Sequence, residues 1–120
     1  MANELTISLS LKFVQGDLNV SRSKSGLRVD VAGVRHYDSV QTIGTSEEAI
    51  YIPTDVGVGG YMVLENLDST DYITIRPATG VADLIKLLPG DMAMFRLTAS
   101  APFALANTTT CDMRVTLIPL

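Results

Sequence analysis

The sequence predicts an all-β protein, an antiparallel β-sandwich of jelly-roll-like type with about eight or nine short strands. Three observations carry that expectation. Apolar and polar residues alternate with a period of two in several segments. Turn residues recur every ~8–12 positions, the spacing of a sandwich or barrel. No segment offers an amphipathic helix of ~10 residues or more. A length of 120 residues suits one domain, so residues 1–120 are expected to form a single β-sandwich.

Residues 5–13 give the clearest strand. Leu5, Ile7, Leu9, Leu11 and Phe13 alternate with Thr6, Ser8, Ser10 and Lys12, which places all five apolar side chains on one face. Leu5, Ile7, Leu9 and Leu11 are therefore expected to face the core. Gln15, Gly16 and Asp17 form a turn. Leu18 and Val20 open a second run, which passes into the polar stretch 21–26, expected to be an exposed loop or hairpin tip. Leu27, Val29 and Val31 alternate with Arg28 and Asp30 as a further half-buried strand, ended by Gly33.

Val40, Thr42 and Ile43 lie on a short strand. The turn 44–48 follows, with Glu47 and Glu48 pointing outward. Residues 49–52 form a strand stopped by Pro53, and the glycine-dense stretch 54–60 is a loop. Residues 61–67 are mostly apolar and read as a strand covered on both faces. Asp68 to Asp71 make a polar turn, and residues 72–76 a β-branched and aromatic strand. The two strands are expected to pair as an antiparallel hairpin. Residues 84–88 and 92–97 are strands joined by the turn Pro89, Gly90, Asp91. Residues 103–106 are rich in alanine, which suits a helix, while their flanks suit a strand or loop. Cys111, Met113, Val115 and Leu117 alternate with Asp112, Arg114 and Thr116 on the last strand.

Composition bounds the function. The net charge is −4, without the basic face of a nucleic-acid binder, and no apolar run approaches the ~18 residues of a membrane helix. Residues 1–4 lack the basic start and apolar run of a signal peptide. Hydrophobic residues make up 47% and charged residues only 18%, as in chains that bury extra surface in an assembly.

No catalytic, cofactor-binding or metal-binding residue emerges from the motifs. His36 and Cys111 are the only histidine and cysteine, too few for a zinc site or an internal disulfide. Cys111 is expected to pack on a strand as a small hydrophobe. Asp68 and Asp71 suit a turn held by aspartate's bonds to the backbone better than a calcium loop, which needs more length and a later glutamate. Residues 56–60 echo a phosphate loop but lead into a strand, not a helix N-terminus. Arg22, Lys24, Arg28 and Arg35 lack the interleaved aromatics of a single-strand binder and suit a charged hairpin beside an acidic neighbour. The Pro89, Gly90, Asp91 turn resembles that of cupin-like jelly rolls, yet the clustered histidines of cupin enzymes are missing.

The order of several segments resembles small β-sandwich structural proteins of tailed-bacteriophage particles. A hydrophobic strand ends in Asn66, Leu67, Asp68 and is followed by an aromatic-led strand from Tyr72. Leu87, Leu88, Pro89, Gly90, Asp91 leads into Phe95, Arg96, Leu97. Ala104 to Thr108 before the final strand and Thr42 to Glu48 fit the same pattern. The resemblance spans residues 5–117 and implies a non-enzymatic virion component, assembled in the host cytoplasm and needing no cofactor.

On that resemblance the expected role is a capsid decoration or cement subunit bound to the major capsid protein or other virion proteins. A head–tail or tail component, or a carbohydrate-binding β-sandwich, are the alternatives. Neither nucleic acid nor membrane is an expected partner. The low charge fraction points to a homo-oligomer, a trimer or a repeating lattice. Val56, Gly57, Val58, Gly59, Gly60, Ala101, Pro102, Phe103 and Leu105 are the candidate protein-contact residues, being small or apolar without core periodicity.

Overall fold

The computed structural model describes residues 4–31, 35–57, 59–98 and 100–120. Among them the chain is all-β, with antiparallel pairing throughout and no helix. It has ten strands, not eight or nine. Two of them, of two and three residues, are too short to show a period. The chain divides into two compact units, Met1–Ala32 and Gly33–Leu120.

The first unit is a two-stranded hairpin of β1 (Leu5–Gln15) and β2 (Leu18–Val29), closed by a two-residue turn at Gly16 and Asp17. The polar stretch 21–26 is part of β2, not a loop or tip. It holds a bulge: Ile7 pairs with Leu27, and Leu9 with Lys24, so β2 spends one residue more than β1. Gly26 takes the left-handed conformation this requires (φ 73°), and its N–H donates to Ser8 Oγ at 3.3 Å.

The bulge changes the parity of β2. Directly paired residues share a face, so Leu27 and Val29 stand with Ile7 and Leu5, while Val20 stands with Phe13 and Leu18 with Gln15. Without the extra residue, Asn19 and serines would occupy that face. The expectation that Leu5, Ile7, Leu9 and Leu11 all face a core holds at Ile7, which is buried, and partly at Leu5. It fails at Leu9 and Leu11, which are 55% and 61% exposed. Alternation fixes which side chains share a face, not what covers that face, and a two-stranded sheet brings no second layer of its own.

The second unit holds β3 (Tyr37–Ile43), β4 (Glu48–Ala49), β5 (Gly60–Asn66), β6 (Ile73–Arg76), β7 (Ile85–Leu87), β8 (Met92–Leu97), β9 (Phe103–Ala106) and β10 (Cys111–Pro119). They form two four-stranded sheets, β3-β10-β5-β8 and β4-β9-β6-β7. The pairings nest about the β6–β7 connection: β6 with β7, β5 with β8, β4 with β9 and β3 with β10. Every consecutive pair of strands except β6 and β7 lies in different sheets.

That arrangement corrects the expected hairpin of residues 61–67 with 72–76. β5 and β6 belong to different sheets, and the segment between them crosses from one to the other. The reason is Asn66, buried at the end of β5. Its amide donates to the carbonyls of Asp71 and Leu87, each at 3.0 Å, and its Oδ1 accepts the N–H of Asp68 at 2.9 Å. A hairpin turn would not hold the strand end against β7.

Both sheets feed one core. Ile43, Met62, Leu64, Met113, Val115 and Leu117 come from the first, and Ile73, Ile75, Leu87, Ala104 and Ala106 from the second. Residues 61–67 are not equally covered on both faces: Met62, Leu64 and Asn66 are buried, and Tyr61, Val63 and Glu65 half-buried. Residues 103–106 are a strand with Ala104 and Ala106 inward, where alanine's small volume suits the crowded interior. Cys111 packs in the same core, as a small hydrophobe on a strand.

Candidate contact surfaces

A polar cluster in the second unit surrounds Asp71. Its buried carboxylate accepts N–H bonds from Thr108 at 2.7 Å and Thr109 at 2.9 Å, joining the crossing after β5 to the turn before β10. The N–H groups of Thr109 and Thr108 pull the Asp71 carboxyl down to about 2. Asp68 is also lowered, by the N–H groups of Asp71 and Thr70. These are the backbone bonds expected of aspartates in a turn, although the turn spans two sheets. Among the described residues, no buried side-chain N or O atom lacks a hydrogen-bond partner.

Glu47 and Glu48 are half-buried and engaged, not outward in a solvated turn. Glu47 bonds Arg76 at 2.8 Å, and Arg76 also reaches Asp83 at 2.6 Å. The Thr79 hydroxyl and the Gly80 N–H lower the Glu47 carboxyl, with Arg76 adding to them. Glu48 accepts from the Gln41 amide at 3.1 Å and the Gly44 N–H at 3.3 Å. Among the described residues, no group of three or more His, Cys, Asp or Glu is placed to hold a metal ion, and His36 is exposed.

Val56, Gly57 and Gly59 are half-buried, and Val58 lies outside the described residues. Gly60 is not a surface residue. It opens β5, is buried, and has φ 126°, with a Cβ there falling on the Ile118 carbonyl oxygen. Ala101 is half-buried. Pro102 is buried and lines a groove of about 310 Å³ with Leu84, Ile85, Phe95, Leu97 and Arg96 among others. Phe103 and Leu105 point away from the core, half-exposed, on the outer face of β4-β9-β6-β7. The candidate residues thus split between a loop, a structural glycine, a groove and an outer face.

Two apolar surfaces are exposed where the sequence predicts a core or gives no signal. One is the hairpin face, where Phe13 (44%) and Leu18 (57%) join Leu9 and Leu11 in solvent. Lys24 and Arg22 stand on that same face, opposite Leu9 and Leu11, while Arg28 pairs with Thr6 on the other. Arg35 belongs to the second unit, where it pairs with Asp55 at 2.8 Å. The four cations are therefore not one patch.

The other surface is the outer face of β3-β10-β5-β8. Val40, Val63, Met92 and Met94 stand there among Asp38, Asp112, Glu65 and Arg114, because they pair with or flank outward residues. Val40 is 46% and Met92 62% exposed. Arg114 lies 3.6 Å from Asp38 and 4.0 Å from Glu65. No sequence signal marks this face: β8 is apolar at both parities, and only the register with β10 and β5 places Val40 and Met92 outward. Neither a family model, nor a curated protein, nor a solved structure matches the chain.

Proposed function

We propose that this chain is a non-enzymatic virion structural protein, a capsid decoration or cement subunit that works by protein–protein contact and is held in the particle as a homo-oligomer. In this reading residues 37–119 are a jelly roll. The observation that carries it is the nested pairing of β3 with β10, β4 with β9, β5 with β8 and β6 with β7, shared between two four-stranded sheets over one core. Jelly rolls of eight strands recur in viral capsid proteins, lectins and cupins. Cupin chemistry wants a histidine cluster, and this chain has one histidine. Sugar sites favour exposed aromatics, and the chain has no Trp. Two exposed apolar surfaces favour assembly, since burying them would contribute ~25 cal/mol per Å².

The test is the copy number of this chain relative to the major capsid protein in purified particles, by quantitative mass spectrometry. A ratio of the order of the capsid subunit itself supports decoration. A small fraction moves the site to the neck or tail. Absence from washed particles overturns the virion reading.

A further inference from the structure

We propose that the apolar face of the β1–β2 hairpin of one copy packs on the outer face of the sheet β3-β10-β5-β8 of a second copy of this chain. This deepens the assembly reading and rests on its self-association half alone. Particle binding is measured separately, so either can fail without the other.

The hairpin face needs a cover. A two-stranded hairpin in water is marginal at best without packing on one face. Leu9, Leu11, Phe13 and Leu18 leave a contiguous apolar strip of a kind that marks interaction sites.

Charge selects the occupant. The unit Met1–Ala32 carries four basic and three acidic residues, a net +1. The unit Gly33–Leu120 carries five basic and ten acidic residues, a net −5. Lys24 and Arg22 stand among the leucines of the apolar face, so whatever covers it must meet two cations. A second hairpin would bring two more cations into the same dry contact, which like charges oppose. The acidic unit of a second copy does not.

Charge also selects the face. The outer side of β4-β9-β6-β7 displays Lys86 and Arg76 beside Phe103 and Leu105, and its carboxylates Glu47 and Asp83 are already held by Arg76, so it offers no spare negative charge to the hairpin. The outer side of β3-β10-β5-β8 displays Met92 and Met94 on β8 and Glu65 on the adjacent β5, with Asp38 and Asp112 offset by Arg114 and Arg96. The hairpin has the same division, with Leu9, Leu11 and Phe13 on β1 and Arg22 and Lys24 on β2. Laid strand along strand, with β1 over β8 and β2 over β5, the leucines meet the methionines and a hairpin cation meets Glu65. Methionine adapts readily to such a partner.

The contact is heterologous: one surface of each copy meets a different surface of the next. Such contacts close into rings when the rotation allows. Mixing distinguishes this from every symmetric alternative. Leu9→Asp/Leu11→Asp removes the hairpin surface, and Val40→Lys/Met92→Lys removes the sheet surface, all four positions being exposed.

Sedimentation velocity of the wild-type chain is expected to show an oligomer, each double variant a monomer, and their equimolar mixture a heterodimer that goes no further. Arg22→Glu/Lys24→Glu, which touches no packing, is expected to raise the self-association Kd at least tenfold, less so at high salt. Circular dichroism and unfolding midpoints confirm that each variant is folded. A monomeric wild type overturns the proposal. So does a mixture that stays monomeric, or a hairpin or sheet variant that still self-associates like the wild type.

Discussion

Replacing Asn66 by alanine removes the side chain that ties the end of β5 to the opposite sheet. Three hydrogen bonds go with it: two from its amide to the carbonyls of Asp71 and Leu87, and one that its Oδ1 accepts from the N–H of Asp68. At about 1 kcal/mol net for each, the loss is about 3 kcal/mol. Asn66 has no solvent exposure, so the carbonyl and N–H groups it leaves behind lie at a site closed to water, which pushes the cost upward. Asn66→Asp is expected to be worse than alanine, because a carboxylate oxygen would face two carbonyl oxygens in place of the donors. The assay is urea unfolding followed by circular dichroism. With a slope of ~1–3 kcal/mol per molar urea, a 3 kcal/mol loss lowers the midpoint by ~1–3 M. A loss below about 1 kcal/mol, or an Asn66→Asp variant as stable as Asn66→Ala, would refute the role given to this amide.

Three further outcomes follow from the packing. Gly60→Ala puts a methyl group on the Ile118 carbonyl at φ 126° and is expected to lower stability by at least about 2 kcal/mol, read from thermal unfolding. Asp71 titrates at about 2 when folded against an ordinary 3.8, so its contribution is complete above pH ~4 and is lost as pH falls toward 2. Asp71→Asn should therefore flatten the acid limb of a stability–pH curve in that window; an unchanged limb counts against the Thr108 and Thr109 bonds. Burial, with the nearby carboxylates of Asp68, Asp71 and Asp112, pushes the Cys111 thiol up to about 11. Iodoacetamide at pH 8 should leave the native protein unlabelled and modify it once unfolded, as mass spectrometry would report; rapid native labelling would contradict the burial.

Strands with a period of two are legible in the sequence because that period is a local property; residues 21–26, read as a loop, lie in β2, and of residues 49–52, read as a strand, only Ala49 is in one. Cys111, Met113, Val115 and Leu117 are all inward, as their alternation requires. Sheet membership was not legible. The turns after Asn66 and after Leu87 have the polar and proline-glycine chemistry of hairpin corners, yet both carry the chain between sheets. What decides the matter at Asn66 is a contact to Leu87, twenty-one positions away, that no local pattern encodes. The hairpin face posed a different problem. Its alternation shows an amphipathic strand but does not show what covers the apolar face. The bulge that carries Arg22 and Lys24 onto the apolar face is signalled in the sequence by Gly26 alone, within a stretch whose polarity suits a loop.

The nesting of the strands has a consequence for synthesis. The innermost pairing joins Ile75 to Ile85, and the outermost joins Tyr37 to Leu117. Each pair that forms brings the ends of the next closer, so closure can proceed outward from the β6–β7 loop with modest entropy at each step. The last strand to leave the ribosome in this order, β10, is not an edge strand. It lies between β3 and β5, so until it emerges both have a side with no neighbour and a row of unpaired backbone groups. The interval in which this chain is exposed to mispairing with other nascent chains therefore lasts until β10 has been made, and a translational pause between β9 and β10 would be more hazardous than one between β6 and β7.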